Sequence, residues 1–202
     1  MHKTKREIPF PRQIVYHNTT AAMNFKILKS EKKYRGKIID LRVDYLEYPS
    51  GNKSYREIVE HPGGAVVVGL FDNSEIILIK QYRHPFAKEV IELPAGKLDK
   101  GEDPLLCAQR ELREETGLAS QHWSKLTSMY TTPGFCNEVL HVFLAQELYS
   151  HKDGQALEEG ESSIQLIRLP LKEAIAMIER KEIVDGKSIA GILLAAKRLG
   201  VR

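Results

Sequence analysis

Residues 96–118 read GKLDKGEDPLLCAQRELREETGL, and no other stretch of the chain says as much about its fold. The stretch becomes strongly acidic toward its C-terminal end, although the formal net charge of the chain is +3. Asp103 suits a helix N-cap, Pro104 suits the first helical position, and Gly117 suits the C-terminal stop. The stretch therefore predicts a helix over residues 103–117.

The acidic side of this helix allows two interpretations. Glu111, Glu114 and Glu115 are spaced so that their carboxylates gather along one side. A solvated face, with Arg110 and Arg113 offsetting the negative charge, is the common meaning of such a run. The alternative is a cage for hard divalent cations, which take clustered oxygen ligands.

The segments before the helix predict β-structure. Residues 1–22 show no periodicity, but apolar and polar residues alternate from residue 24 onward, with a turn at 49–52. GGAVVVGLF (63–71) and EIILIKQYR (75–83) are continuous apolar runs joined by Asp-Asn-Ser. They predict an antiparallel pair of strands that is buried on both faces.

The C-terminal part returns to helices. Apolar residues recur at helical spacing in LKEAIAMIERKEI (171–183) and SIAGILLAAKRLG (188–200), after a strand at IQLIRLP. Strands followed by one helix, further strands and two helices favour an α+β fold over a regular βαβ series.

The spacing of the acidic stretch favours the cation cage. It fits G-x5-E-x7-R-E-L-x-E-E-x-G-L without a gap from Gly96 to Leu118. This pattern is the Nudix box, and the chain resembles the Nudix hydrolases, which cleave nucleoside diphosphates linked to another moiety. The resemblance implies a Nudix α/β/α sandwich with a mixed sheet over residues 58–202. It also implies a small N-terminal strand domain, residues 1–57, that swaps between the subunits of a homodimer.

The resemblance assigns roles within the box. The implied ligands of Mg²⁺, with Mn²⁺ as a substitute, are the carboxylates of Glu111 and Glu115 and the carbonyl of Ala95. Glu114 is implied as a further ligand or as a catalytic group that shares a metal-bound water. Such ions neutralise a diphosphate and lower the pKa of a bound water. Arg110 is expected to orient the glutamates through a bidentate pair, and Glu102 to hold the loop.

Features outside the box resemble the ADP-ribose pyrophosphatase group of nucleoside diphosphate sugar hydrolases. They are REIVEHPGGAVVV (56–68), QYRHPF (81–86), ELPAGKLDKGE (92–102) and the proline of TTPGFCNE. The implied substrate-binding residues are Arg56, Arg83, Pro133, Gly134 and Glu138, because guanidinium groups suit phosphate oxygens. The alternatives are surface arginines, a simple Pro-Gly turn and a local salt bridge.

The general base is expected on the loop that ends ALEEGESSIQLIRL. Members of the group commonly carry an acidic pair directly before the last strand, where this chain has Ser162 and Ser163. Glu161, and after it Glu159, are the candidates for the base or an additional metal ligand. The alternative is a solvated acidic loop. An aromatic residue of the N-terminal strands, Tyr34 or Phe25, is a candidate for stacking on the base of the nucleotide.

Composition restricts the other classes of function. The chain has neither an apolar run of the roughly 18–20 residues that cross a bilayer nor a basic stripe for nucleic acid. Its N-terminus lacks the apolar stretch of a secretory signal, and two cysteines make no disulfide framework, so a cytoplasmic location is expected. Cys107 is expected to be a small buried hydrophobe rather than a nucleophile.

The predicted reaction is metal-dependent hydrolysis of ADP-ribose or a related nucleoside diphosphate sugar to a nucleoside monophosphate and a sugar phosphate. A GDP-mannose-type pyrophosphatase is the nearest alternative. A non-catalytic nucleotide-sugar sensor is another, although the box glutamates that catalysis needs are intact. An RNA pyrophosphatase is a third, disfavoured by the nearly neutral charge.

Overall fold

The computed structural model of the chain describes residues 25–72, 74–157 and 159–201. The segment 1–22, predicted to be irregular, lies outside the described residues. The described part folds into two β-sheets, a two-stranded ladder and three α-helices. None of these helices is long and apolar enough to cross a membrane.

The N-terminal sheet is an antiparallel meander. Its strands are β1 (Lys26–Arg35), β2 (Asp40–Glu47) and β3 (Lys53–Glu60). The predicted turn joins β2 to β3, and Gly51 has a φ of 83° there, a left-handed conformation that favours glycine. β3 continues beyond residue 57, where the domain boundary was expected. β1 forms one edge of the sheet and is exposed along nearly its whole length.

The larger sheet is mixed, as the resemblance implies. The remaining strands are β4 (Gly64–Leu70), β5 (Glu75–Arg83), β6 (Lys88–Glu92), β7 (Ala95–Lys97), β8 (Leu118–Ala119), β9 (His122–Tyr130), β10 (Val139–Gln146), β11 (Tyr149–Ser150) and β12 (Gln165–Pro170). The sheet order is β12-β5-β4-β10-β9, with β6 paired to β5 and β7 paired to β4. β10 runs parallel to β4, and the other described pairings are antiparallel. β8 and β11 form the separate ladder.

Helices cover both faces of this sheet. They are α1 (Pro104–Thr116), α2 (Leu171–Glu179) and α3 (Gly186–Leu199). Every residue of β4 is buried, which confirms the prediction from its continuous apolar run. Val66 and Val68 pack in the cluster with α2 and α3, whereas Ala65 and Val67 pack in the cluster with α1. The sheet therefore lies between two helical layers, the predicted α/β/α sandwich.

The two C-terminal helices differ from their predicted bounds at the loop between them. α2 ends at Glu179, and Lys181 takes a left-handed φ of 64° shortly after it. α3 already begins at Gly186, because Asp185 caps it by accepting a hydrogen bond from the amide of Ser188 at 3.0 Å. The periodicity of the apolar residues could not locate the end of α2 or the start of α3, since the first is followed by a backbone turn and the second is set by a side-chain cap.

Candidate active site

Helix α1 carries the acidic stretch and is fixed at both ends. Asp103 Oδ1 accepts hydrogen bonds from the amides of Leu105 at 2.8 Å and Leu106 at 3.4 Å. Gly117 has a φ of 70°, and its amide donates to the carbonyl of Arg113 at 2.7 Å. These contacts confirm the predicted N-cap and C-terminal stop, and they set which side of α1 meets the sheet.

Two carboxylates of α1 are buried against the backbone of β7. Glu111 is 7% exposed and Glu115 is 2% exposed. The amide of Ala95 donates to Glu115 Oε2 at 2.9 Å. Gly96 lies so close that a Cβ there would fall 1.9 Å from the carboxylate of Glu111. The two predicted metal ligands therefore lie one turn apart on a single face, directly over the backbone of residues 95 and 96.

Arg110 ties the loop and the acidic face together. It donates Nε to Glu102 Oε1 at 2.9 Å and Nη2 to Glu102 Oε2 at 3.0 Å, and it donates Nη1 to Glu111 Oε1 at 2.7 Å. The bonds from Arg110 are the main reason that the pKa of Glu102 is lowered to about 2. Glu102 also accepts the amide of Asp99 at 2.9 Å. Glu102 thus holds the loop as expected, but the bidentate partner of Arg110 is Glu102 rather than a metal-binding glutamate.

Glu114 differs from its two acidic neighbours. It is half-buried, and Arg113 Nη2 donates to its Oε1 at 2.6 Å. Arg110 Nη1 lies on its other oxygen at 3.2 Å. Both oxygens of Glu114 are therefore already engaged with guanidinium groups, which offset the repulsion among the carboxylates of α1.

The donors at this face suit a divalent cation in type. Within the described residues, no three His, Cys, Asp or Glu side chains converge closely enough to hold an ion by themselves. Glu111 and Glu115 nevertheless bring two buried carboxylates to the backbone of Ala95, a set of oxygen donors of the kind that hard cations prefer. A cation at this place would also offset the cost of burying two negative charges one turn apart.

A cavity of about 460 Å³ is lined by Ala95, Gly96 and the loops at neighbouring strand ends. Its charged or ionisable lining residues are His61, Arg83, Lys97, Glu138, Asp185 and Lys187. The volume is within the range of about 300–1,000 Å³ that small-molecule sites occupy. The fold therefore brings three predicted site residues, Arg83, Glu138 and Ala95, into one cavity.

Arg83 is held on the wall of this cavity by a buried carboxylate. Its Nε and Nη2 atoms each lie 2.7 Å from an oxygen of Glu92, which also accepts a hydrogen bond from Lys187. Burial alone raises the pKa of Glu92, but the hydrogen bonds from Arg83 and the charge of Lys187 outweigh it and lower that pKa. The pKa of Arg83 is raised, first by its bond to Glu92 and further by the charges of Glu115 and Asp185. Arg83 is therefore a fixed cation close to the acidic face of α1.

Glu138 is fixed from the other side of the cavity. Its Oε1 lies 3.2 Å from Nδ1 of His61, and the same nitrogen is 3.1 Å from the amide of Gly63. The amide of His61 donates to Asn137 Oδ1 at 2.8 Å, which ties the end of β3 to the segment that carries Glu138. Glu138 therefore lines the cavity and also lies against a neighbouring side chain, His61.

The other predicted substrate-binding residues lie elsewhere within the single chain. Arg56, Pro133 and Gly134 line a separate hollow of about 500 Å³. There Arg56 donates Nη2 to Tyr48 Oη at 2.7 Å and is exposed. The expectation that these three residues share one site with Arg83 is not met within one chain. Arg56 lies on β3 and Pro133 and Gly134 lie on the turn between β9 and β10, and all three line the separate hollow.

The two candidate stacking residues are also remote from the cavity lining. Phe25 is 38% exposed and packs edge-on against Tyr48, with ring centroids 6.4 Å apart. Tyr34 is 57% exposed. Neither ring lines a described pocket of the chain.

The loop that carries the candidate general bases follows β11 and is hydrogen-bonded to the last turn of α1. The amide of Ala156 donates to the carbonyl of Glu114 at 3.0 Å, and Gln155 Nε2 donates to the carbonyl of Glu115 at 2.7 Å. The loop then forms a short 3₁₀ turn over residues 159–161. Glu159 is exposed, whereas the side chain of Glu161 lies outside the described part of the structure.

Sequence reasoning assigned no role in the site to five charged or ionisable residues of the cavity and its wall: His61, Glu92, Lys97, Asp185 and Lys187. The histidine was visible in the chain but had no feature that separated it from a surface or core histidine. Glu92 and Lys187 are 95 positions apart, and no local pattern joins them. Their pairing depends on α3 packing beside the end of β6.

Comparison with known proteins agrees with this geometry. The NUDIX domain profile matches residues 60–190. The ADP-ribose pyrophosphatase of Bacillus subtilis (strain 168) is 42% identical over 83% of this chain and 90% of the relative. The methanol dehydrogenase activator of Bacillus methanolicus is 41% identical with the same coverage of both chains. The GDP-mannose pyrophosphatase of Citrobacter koseri (strain ATCC BAA-895 / CDC 4225-83 / SGSC4696) is 33% identical over 66% of this chain and 73% of the relative.

A solved structure described as an ADP compounds hydrolase has the same fold. It superposes with a TM-score of 0.76 at 21% identity and covers 87% of this chain and 94% of its own. The sequence profile spans more than half of the chain, and two relatives exceed 40% identity over most of their length. The chain belongs to the Nudix family.

Proposed function

We propose that the protein hydrolyses the diphosphate bond of ADP-ribose or of a closely related nucleoside diphosphate sugar. The products are a nucleoside monophosphate and a sugar phosphate. The observation that carries this proposal is the pair of buried carboxylates, Glu111 and Glu115, on the backbone of Ala95 and Gly96 at the wall of a cavity that also holds Arg83. The names of the relatives support a nucleotide sugar as the substrate.

The proposed cofactor is Mg²⁺, for which Mn²⁺ can substitute. Nudix hydrolases generally use divalent metal ions. Glu111, Glu115 and the carbonyl of Ala95 are the proposed ligands, and Glu114 joins them if it leaves its arginine partners. When bound, the ion neutralises charge on the diphosphate and favours ionisation of water.

Residues of the chain bind the phosphates, orient the metal-binding carboxylate and accept the proton of the attacking water. Arg83 is proposed to hold phosphate oxygens, since a guanidinium presents several donors in a fixed plane. Arg110 keeps the carboxylate of Glu111 in place. The oxygen of a water attacks one phosphorus, the bridging P–O bond breaks, and the water's proton passes to a carboxylate of the 155–161 loop. Glu161 is the first candidate for that carboxylate and Glu159 the second, because residues 155 and 156 of this loop hydrogen-bond to the last turn of α1.

The proposal leaves one choice open, which is whether the base and sugar of the preferred substrate are those of ADP-ribose or those of GDP-mannose. Steady-state kinetics with ADP-ribose, GDP-mannose, UDP-glucose and ADP-glucose in Mg²⁺ would rank them by kcat/KM. We expect ADP-ribose among the best substrates. If it ranks below the hexose nucleotides, the ADP-ribose assignment is wrong while the hydrolase assignment stands.

A Glu115→Gln variant separates catalysis from simple binding. The amide keeps the hydrogen bond to Ala95 but removes the negative charge that a cation needs, so kcat is expected to fall by at least about a hundredfold while the fold is retained. AMP release by the variant equal to that of the wild type would end the proposed role of Glu115. A wild type that binds the nucleotide sugar but releases no AMP would favour a non-catalytic sensor.

The proposed assembly is a homodimer in which the N-terminal strand domain swaps. The separate hollow at Arg56 is bordered by Tyr130 and Phe135, which are 69% and 55% exposed. Further apolar side chains of the N-terminal sheet and its turns are exposed, namely Ile27, Leu28, Ile38 and Ile39. Burying such a surface against a second copy would be favourable, and it would let Arg56, Pro133 and Gly134 face a partner's cavity. Sedimentation velocity at micromolar concentration should give a dimer, and a monomer there would end this proposal.

The proposed location is the cytoplasm. Cys107 is buried, Cys136 is half-buried, and both are free thiols, which a reducing compartment preserves. The proposed ligand is a small nucleotide sugar, with neither nucleic acid nor a membrane as partner.

A further inference from the structure

Glu92 lies at a junction that the reaction described above does not use. It is the last residue of β6, and its side chain is only 3% exposed. Arg83 at the end of β5 donates to both of its oxygens at 2.7 Å, and Lys187 in the first turn of α3 donates to Oε2. A single buried carboxylate thus joins two cations that come from different layers of the sandwich.

The number of cations exceeds what the buried carboxylate requires. One bidentate arginine already supplies a full positive charge and two hydrogen bonds to Glu92. Lys187 is a second cation on the same group, placed near the N-terminus of α3, where the helix dipole disfavours positive charge. Stabilising Glu92 therefore does not explain Lys187.

The neighbouring acid, Asp185, is already occupied. Its Oδ2 accepts hydrogen bonds from the amide of Ser188 at 3.0 Å, from the hydroxyl of Ser188 at 2.5 Å and from Lys187 at 2.9 Å. The hydroxyl of Ser188 in turn accepts the amide of Leu93 at 2.8 Å. These bonds fasten the start of α3 to the residue that follows Glu92, so Lys187 is held in a fixed position.

Both cations keep hydrogen-bonding capacity on the cavity wall. Arg83 and Lys187 line the same cavity as Ala95 and Gly96. Among the described residues, Arg83 Nη1 makes no hydrogen bond. An ammonium group has three donors, and Glu92 and Asp185 take two of those on Lys187. Each cation can therefore still donate to an anion in the cavity.

The place of Arg83 and Lys187 in the cavity indicates which kind of anion they would bind. Arg83 and Lys187 line the same cavity as Ala95 and Gly96, whose backbone lies against Glu115 and Glu111. A diphosphate in this cavity can therefore contact both cations beside the carboxylates of α1. Arg83 and Lys187 are balanced by Glu92 and Asp185, so what they offer a diphosphate diester is one directed, charged hydrogen-bond donor for each of its two phosphates.

We propose that Lys187 is a diphosphate-binding residue and that Glu92 is a positioning residue that holds Arg83 and Lys187 side by side against the substrate. This rests on the proposed function, because it takes the ligand of the cavity to be a nucleoside diphosphate sugar. The donors to the diphosphate then come from Arg83 on β5 and Lys187 on α3, while α1 supplies the carboxylates.

The test is Lys187→Met in the full-length chain, because methionine keeps most of the length of the side chain and leaves the Arg83–Glu92 pair intact. Calorimetric titration with ADP-ribose in EDTA, where no turnover occurs, should show binding weakened about ten- to hundredfold, the usual loss for a charged hydrogen bond. KM should rise to a similar extent with kcat changed less than about threefold. Lys187→Arg should restore most of the affinity, since it keeps the charge.

The matched control is Lys197→Met, the same change at an exposed position of the same helix outside the cavity, and it should bind as the wild type does. Glu92→Gln tests the positioning role. It should weaken binding in the same direction, because the two cations lose the charge that draws them together, and Lys187→Met remains decisive if this variant fails to fold. Lys187→Met with unchanged affinity and only a lower Tm would overturn the proposal.

The two proposals fail in different ways. If the wild type cleaves nucleoside diphosphate sugars but Lys187→Met keeps the KM of the wild type, the role of Lys187 is wrong and the function stands. If the wild type binds ADP-ribose without cleaving any such sugar and Lys187→Met weakens that binding, the hydrolase proposal is wrong and the role of Lys187 stands. If the wild type neither binds nor cleaves ADP-ribose or any of the other nucleoside diphosphate sugars, both are wrong.

Discussion

Gly96→Ala tests whether catalysis depends on the close contact between the carboxylate of Glu111 and the β7 backbone at Gly96. The added Cβ would fall 1.9 Å from the carboxylate of Glu111, whereas ordinary contact begins at about 3.4 Å. The carboxylate must therefore retreat by about 1.5 Å, and it cannot do so freely, because Arg110 holds it at 2.7 Å. Misplacement of a reacting group by about 1 Å can cost about a hundredfold in rate, so kcat should fall by at least that factor.

The assay combines activity, metal binding and stability. AMP release from ADP-ribose measures kcat, and electron paramagnetic resonance measures free Mn²⁺ in the presence of the protein. Affinity for Mn²⁺ should fall together with kcat, because Glu111 is a proposed ligand. The unfolding free energy should fall by about 1–3 kcal/mol, the usual cost of overpacking a buried site.

Gly191→Ala is the matched control for that stability cost. Its Cβ would meet Leu93 Cδ1 at 2.6 Å in the core beneath α3, away from Glu111. It should lower the Tm in the same way and leave kcat nearly unchanged. If Gly96→Ala keeps kcat within about threefold of the wild type, or if Gly191→Ala loses as much activity, the reasoning from the close contact of Glu111 with Gly96 is refuted.

Two further predictions concern ionisation in the box helix and its surroundings. The pKa of Glu102 is about 2 in the folded protein, below the ordinary glutamate value of 4.5. The charge of Glu102 therefore stabilises the fold above pH 4.5, and this contribution is lost as the pH falls from 4.5 toward 2. Urea titrations between pH 6 and 3.5 should therefore show a smaller acid loss of unfolding free energy for Glu102→Gln than for the wild type; equal losses would contradict the pairing with Arg110. Burial raises the pKa of Cys107 to about 12, so at pH 8 a disulfide reagent should modify Cys136 in the folded protein and Cys107 only after unfolding. A fast phase that persists in Cys136→Ser would disprove this.

Much of the fold could be predicted from local patterns. The caps of α1 were visible as Asp103 and Gly117, because capping depends on residues within one turn of the helix end. The burial of β4 on both faces followed from its unbroken apolar run. The end of α2 and the start of α3 could not be predicted from periodicity, since α2 ends just before a backbone turn at Lys181 and α3 begins at the cap formed by Asp185.

The candidate site divides in the same way. The resemblance to the Nudix hydrolases is confirmed, and the structure places Glu111, Glu115 and Ala95 together as the box implies. Roles for the acidic loop at Glu159 and Glu161 stay predictions, as do those for the residues around Arg56.

The sequence by itself determined the acidic face, because two carboxylates four positions apart on a helix share a side wherever the helix packs. Only the tertiary structure decided which cations oppose that face. Arg83, Glu92 and Lys187 meet because β5, β6 and the start of α3 converge at one end of the sandwich. Contacts over such separations depend on strand order and helix packing, and these are properties of the folded chain that no local run of residues encodes.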